Sequence, residues 1–223
     1  FIMKKESETL EEGQLRITTP FGPSIAWAKI PLPLIEKLNN YVDKIIEDKE
    51  KVKKLDHGNK LVGDVTQEFL IENDFSSECG WSSFLQKGVS HWINYTTQRK
   101  VTKFKLISSW VIRQFKGEYN PIHWHGGHIS GVGYLKVPKN LGEPVQKESK
   151  RKNPNGHIEL IHGTRMFLSG AKLQIKPEVG NFYFFPNYMM HTVYPFTDTE
   201  EERRSISFNC YIDDNIYNVY DGS

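Results

Sequence analysis

The sequence predicts a mostly β protein with some α structure, an antiparallel sandwich or barrel with helices from the N-terminal region packed on it. Two observations point there. From Lys103 onward, short runs rich in β-branched and aromatic residues are separated by Pro, Gly and Asn turns. The first hundred residues instead carry a helical period. A third observation excludes an alternative: no repeat and no β-α-β alternation is present, so a Rossmann-type sheet is not expected. The expected organisation is a single domain over 1-223, with 1-100 a mixed helical support region and 101-213 the β-barrel core.

The elements follow in chain order. Ile25 to Ile30 reads as a short strand stopped by Pro31 and Pro33. Leu34, Ile35, Leu38, Tyr41, Val42, Ile45 and Ile46 mark one buried helical face. The charged stretch Glu47 to Lys54 is expected to continue that helix, and Asp56-His57-Gly58-Asn59 to end it. A second helix is expected from Ser82 or Ser83 to about Tyr95, with a serine as its N-cap. Strands are then expected at Phe104 to Phe115, Ile129 to Val137, His157 to Ile161, Arg165 to Leu168, Lys172 to Lys176, Asn181 to Phe185 and Ser205 to Ile212. Residues 139 to 155 form a basic insertion with no periodicity. A mobile lid and a solvated loop are both readings of it.

Composition narrows the function classes. The chain has 223 residues and is 38% hydrophobic, which fits neither a disordered nor a membrane-spanning chain. A net charge of +2 does not indicate nucleic acid. Cys79 and Cys210 are too few for a disulfide framework and read as free thiols. The first residues lack the apolar run of a signal peptide, so a cytoplasmic protein is expected. A homodimer stays open, because the helix from Leu34 could pack on the barrel or on a partner.

Three groups of residues carry candidate chemistry. In a strand, His123 and His125 point to one face, and neutral imidazoles are natural ligands for iron, zinc or copper. Surface histidines in a polar loop would give the same spacing. His191 follows the aromatic run Phe184-Phe185 and the stop Pro186, as a residue displayed at a strand junction would. Alternation places Arg203, Ser205, Ser207 and Asn209 on one strand face, and Arg204, Ile206 and Phe208 on the other. An Arg-x-Ser pair facing a cavity suits a carboxylate, while facing water it is an ordinary polar edge.

The combination is more specific than its parts. Asn120-Pro121-Ile122-His123-Trp124-His125, Ser130-Gly131-Val132-Gly133-Tyr134-Leu135, Phe185-Pro186 through His191, and Arg203 to Asn209 stand in order, preceded by Gly80-Trp81-Ser82-Ser83. Over roughly residues 80 to 212 the chain resembles the 2-oxoglutarate/Fe(II) oxygenase family. The resemblance implies a double-stranded β-helix (jelly roll, cupin-like), one Fe(II), and 2-oxoglutarate as co-substrate. It implies iron on His123, His125 and His191, and the far carboxylate of 2-oxoglutarate on Arg203 and Ser205, with Tyr134 beside them. The implied reaction couples oxidative decarboxylation of 2-oxoglutarate to hydroxylation of a substrate, either a small molecule or a protein side chain.

The expected ligand set departs from the usual one. Two histidines and one carboxylate normally share one face of the iron, and the carboxylate's usual place is here His125. Three histidines could bind the metal, or a carboxylate such as Glu118 or Glu159 could replace one, or two protein ligands could suffice. His128 is odd-spaced from its neighbours and reads as supporting or surface-exposed. Trp110, Trp124 and Tyr188 are candidates to wall the cavity. Two rival functions remain at this point. One is a cupin-type metal enzyme that does not use 2-oxoglutarate, and the other is an inactive barrel serving as a binding or sensor module.

Overall fold

Alternation along the last long strand sets the architecture. In the computed structural model, which describes residues 11–18, 22–144, 148, 153–167 and 169–218, Arg203–Ile212 form one continuous strand. Ile206, Phe208, Cys210 and Ile212 face a large apolar core shared with the helices, while Arg203, Ser205, Ser207 and Asn209 line an internal cavity. The same division holds for its neighbours, so the major sheet has one greasy face and one chemical face.

Eleven strands and five α-helices are present among the described residues. In order they are β1 (Leu15–Thr18), β2 (Ile25–Lys29), α1 (Leu32–Ile46), α2 (Lys49–Leu55), β3 (Gln67–Leu70), α3 (Asn73–Cys79), α4 (Trp81–Thr97) and β4 (Phe104–Gln114). Then come β5 (Asn120–His123), β6 (Ile129–Lys136), β7 (Ile158–Ile161), β8 (Lys172–Ile175), β9 (Asn181–Pro186), β10 (Met190–Val193), β11 (Arg203–Ile212) and α5 (Asp214–Tyr217). The major sheet runs β1-β2-β9-β6-β11-β4-β3 and the minor sheet β5-β10-β7-β8. Every pairing is antiparallel. Two facing antiparallel sheets with long crossovers make a double-stranded β-helix, with helices on the outer face of the larger sheet.

The helices form where the sequence lets them. Pro31 and Pro33 fix the entry to α1, whose Leu34, Ile35, Leu38, Val42 and Ile45 are buried on the sheet. The charged segment after it does not prolong α1. Asp48 caps a separate helix, its carboxylate accepting from the backbone N–H of Glu50 at 3.0 Å and of Lys51 at 3.2 Å. Nor does a serine cap α4. Gly80, at φ +96°, ends α3 and starts α4 at the same residue, a left-handed conformation suited to glycine. Ser82 Oγ instead bonds Ser76 Oγ at 2.7 Å. Trp81 Nε1 donates to Ser109 Oγ at 2.9 Å, and Ser109 Oγ to the Ser207 carbonyl at 2.7 Å. That chain of bonds ties α4 to the middle of the sheet.

Several sequence expectations need correction. Before residue 101, β2 is the strand expected from Ile25, while β1 and β3 were not expected and form the two edges of the major sheet. Of the strand expected at Arg165 to Leu168, the described residues 165–167 form none. Met166 and Ser169 close a tight bridge, with Met166 and Phe167 exposed, and Leu168 lies outside the described residues. The segment has β-type side chains but no partner strand, and pairing rather than propensity makes a strand. Most of the basic insertion's charge, on Lys147, Lys150, Arg151 and Lys152, lies outside the described residues. Both cysteines are free. No helix of the described residues is long and apolar enough to cross a membrane.

Candidate active site

The cavity between the two sheets has a volume of about 300 Å3. The minor sheet contributes His123, Ile158, His191 and Val193, and the major sheet Trp110, Ile112, Val132, Phe185 and the polar face of β11. Strand β10 sits between β5 and β7, and His191 pairs directly with His123 across the β5–β10 ladder. A direct cross-strand pair puts both side chains on one face. His125 lies just past the end of β5 rather than inside a strand, as the spacing alone would have had it. It is returned to the site because its backbone N–H donates to the Asn187 carbonyl at 3.0 Å.

One ring nitrogen from each of His123, His125 and His191 falls within 4.8 Å of the others. The Nε2 atoms of His125 and His191 are 3.2 Å apart. His123 Nδ1 is 2.7 Å from the Pro121 carbonyl, and His191 Nδ1 is 2.9 Å from the Met189 carbonyl. A carbonyl only accepts, so Nδ1 carries the proton in both rings and Nε2 keeps its lone pair for a metal. His125 has the Trp110 indole beside it, ring centroids 5.5 Å apart. Burial, reinforced by the neighbouring imidazoles, holds His191 well below the usual histidine range and pushes His125 down to about 3. Burial lowers His123 as well. All three rings are therefore neutral donors at ordinary pH. The donor set fits a divalent first-row ion, with positions left open for other ligands.

No carboxylate joins this cluster among the described residues. Glu159 is held on the far face of the minor sheet by Lys172 Nζ at 2.7 Å and Gln174 Nε2 at 2.8 Å. Glu118 closes a turn, accepting from the backbone N–H of Thr66 at 3.0 Å and of Phe115 at 2.8 Å. His128 is not exposed, and its carbonyl accepts from the N–H of Asn187, the residue that holds His125, at 3.1 Å. It is buried and stacked on Tyr217 at 3.9 Å, and its Nδ1 accepts from the Ile212 N–H at 3.2 Å. Trp110 and Trp124 do line the cavity, whereas Tyr188 lies outside it and is half exposed.

Across the cavity stands Arg203, 1% exposed. Its Nη1 donates to Gln114 Oε1 at 2.9 Å and reaches Ser205 Oγ at 3.4 Å. Its guanidinium lies over the Tyr134 ring, 5.0 Å from the centroid. Among the described residues Arg203 Nε and Nη2 and the Tyr134 hydroxyl make no well-aligned hydrogen bond, although guanidinium and phenol lie close enough to interact. A buried guanidinium with two idle N–H groups and no carboxylate beside it fits an anionic ligand that brings its own acceptors.

The comparisons agree with this geometry. Residues 108–209, which contain all three histidines, Tyr134, Arg203 and Ser205, match the family described as "Putative 2OG-Fe(II) oxygenase". That stretch is similar to the core of a 2OG-Fe(II) oxygenase. The oxygenase fold is shared with a Pseudomonas putida prolyl-4-hydroxylase, at a TM-score of 0.54 and 13% identity over 83% of this chain and 91% of that one. A Trichoplax adhaerens prolyl hydroxylase, solved with a hypoxia inducible factor peptide, gives 0.56 and 13% over 92% and 86%. HygX of Streptomyces hygroscopicus, solved with nickel and 2-oxoglutarate, gives 0.53 and 9% over 84% and 82%. No curated protein sequence matches. The enzyme is a dioxygenase whose family reagents are Fe(II) and 2-oxoglutarate.

Among the cavity-wall residues that sequence reasoning missed are His57, Lys60, Glu68 and Asn120, the last as a side chain rather than a turn former. The only signal for Glu68 was a lone acid beside the apolar run Phe69-Leu70-Ile71.

Proposed function

We propose that His123, His125 and His191 together hold one Fe(II), and that Arg203 and Ser205, with Tyr134 beneath, bind the far carboxylate of 2-oxoglutarate. The observation that carries this reading is the buried Arg203, with no carboxylate beside it and with Nε and Nη2 unbonded among the described residues, in the same cavity as the three imidazoles. A metal enzyme that does not use 2-oxoglutarate has no need of that cation. Three neutral ligands leave the full charge of the ion uncompensated, which favours a dianionic co-substrate more than the usual carboxylate-bearing set does. When bound, Fe(II) and 2-oxoglutarate supply oxidative decarboxylation coupled to hydroxylation of a C–H bond. The chain's own part is to fix the imidazole tautomers, anchor the carboxylate, and exclude water with Trp110, Ile112 and Phe185.

The substrate enters past Trp124, which lines the cavity and is 66% exposed. A small molecule and a protein side chain both fit such an opening. We read residues 1–223 as one oxygenase domain, because β1, β2 and β3 complete the sheet that carries the site. Free thiols at Cys79 and Cys210 support a cytoplasmic enzyme. A homodimer is testable by light scattering.

The decisive experiment is succinate release from 2-oxoglutarate by protein supplied with Fe(II), ascorbate and O2. Slow uncoupled turnover is expected, together with a thermal shift from N-oxalylglycine. His191→Ala should lose more than about 100-fold in Fe(II) affinity, beyond the loss seen for a merely supporting residue. Absence of both turnover and thermal shift would sink the oxygenase reading.

A further inference from the structure

The cavity holds a second buried ionisable group that neither the metal nor the co-substrate reading uses. Glu68 lies on β3 directly opposite Ile112 of β4. Directly paired residues share a face. Ile112 lines the cavity, so Glu68 points there as well, while the next residue, Phe69, joins the helical core. Glu68 is 1% exposed, and no donor among the described residues reaches either of its carboxyl oxygens. An unpartnered carboxyl at that depth is costly to the fold. Its neighbourhood keeps space beside it. A β-carbon built on Gly63 would stand 3.1 Å from Glu68 Oε1 and 3.1 Å from Asn120 Nδ2, so a larger residue there would crowd both. Burial and the nearby Asp56 carboxylate raise Glu68 to about 7. His57 and Lys60 also line this end of the cavity, and Lys60 is exposed.

We propose that Glu68, with the Asn120 amide beside it, forms a subsite that anchors a primary ammonium or guanidinium group of the substrate. Two bare oxygens set the chemistry. A hydroxyl offers one hydrogen and leaves the second oxygen unsatisfied. An ammonium or guanidinium offers several N–H donors and a charge that compensates the carboxylate. The cation then sits in the cavity that holds the three histidines, with its attached carbon chain directed into that space. That this cation belongs to the molecule being oxidised rests on the oxygenase reading; cation binding itself does not.

Calorimetric titration of the Fe(II)- and 2-oxoglutarate-loaded protein under anaerobic conditions tests the subsite. At pH 8, above the Glu68 value of about 7, n-butylammonium should bind wild type at least about tenfold more tightly than Glu68→Gln, a loss of about 1.4 kcal/mol. Butan-1-ol, the neutral isostere, should not distinguish the two. Glu68→Asp keeps the charge on a shorter arm and should retain the preference for amine over alcohol. Thermal unfolding of both variants confirms that each is folded. Equal amine affinity in wild type and Glu68→Gln, or no amine binding to wild type, overturns the proposal. So does loss of Fe(II) from Glu68→Gln, which would place the carboxylate on the metal. Amine binding without 2-oxoglutarate turnover by wild type overturns the oxygenase reading instead and leaves the cation site standing.

Discussion

Arg203 and Arg204 are adjacent in sequence, equally buried at 1% exposure, and opposite in circumstance. Arg204 faces the helices and is saturated. Its Nε donates to Glu202 Oε1 at 2.7 Å, its Nη2 to Asp43 Oδ1 at 2.7 Å, and its Nη1 to Asn39 Oδ1 at 3.0 Å. Arg203 faces the barrel interior and has two N–H groups without a partner among the described residues. One strand thus carries a structural arginine and a receptive one, sorted by alternation alone. The same contrast extends over the whole major sheet. The helical face packs Phe182, Phe184, Ile206 and Phe208 into a continuous core. The cavity side keeps Arg203, Tyr134 and Glu68 buried with unsatisfied polar atoms. Proteins rarely leave such groups idle, so the incomplete face is the one that meets ligands.

The largest effect that could break this comparison is on folding. Arg204→Met removes the buried centre of an ionic network, leaving Asp43 with Lys136 and Glu202 with Arg113, and should destabilise the protein by about 3 kcal/mol, the low end for removing one partner from a buried pair. Chemical denaturation measures it directly. If Arg204→Met unfolds no more easily than wild type, Arg204 is not the structural member of the pair.

Arg203→Met should behave oppositely. It removes a buried cation that has no carboxylate partner in the protein, so ligand-free stability should hold or rise. The loss should fall on the co-substrate, about 2–3 kcal/mol in 2-oxoglutarate affinity, with Fe(II) uptake retained. Parallel losses of 2-oxoglutarate and metal affinity would make Arg203 structural after all.

How far these faces were legible in the sequence depends on whether a pattern needs a partner. The β11 alternation could be read directly, because period two assigns faces without knowing what lies across from them. His123, His125, His191, Arg203 and Ser205 follow from it and from family motifs, and the structure brings them around one cavity. The buried face of α1 and the length of β4 were legible for the same reason, since long, strongly periodic segments specify themselves, whereas the charged stretch after α1, without that period, was wrongly joined to it. The four-residue strands β1, β3, β5 and β10 were not legible, since each is defined by its ladder neighbour. Arg165 to Leu168 failed in the converse way, with strand-like residues and no neighbour. Glu68 was lost with β3. Only once Gln67–Leu70 is paired to β4 does its side chain acquire a direction, and only then does its isolation become visible.

Glu68 gives the smallest effect and the sharpest check on the incomplete face. Burial raises its folded-state value to about 7, from about 4.5 for an unhindered glutamate. Below pH 4.5 both folded and unfolded chains carry the proton, and Glu68 contributes its full stabilisation relative to the ionised state. Between 4.5 and about 7 the folded chain keeps the proton and the unfolded chain has released it, so stability falls as pH rises. Above 7 both are ionised and the contribution is gone. Glu68→Gln cannot titrate and lacks this slope. Relative to wild type it should gain on the order of 2 kcal/mol on passing from pH 4 to pH 8, with the change centred between 4.5 and 7. Urea unfolding at four pH values across that range measures the difference. Butylammonium added at pH 8 should close the gap, because a bound cation restores to the ionised carboxylate the partner it lacks. A pH-independent difference between the two proteins would mean that Glu68 already has a partner and that the barrel face is more complete than its geometry indicates.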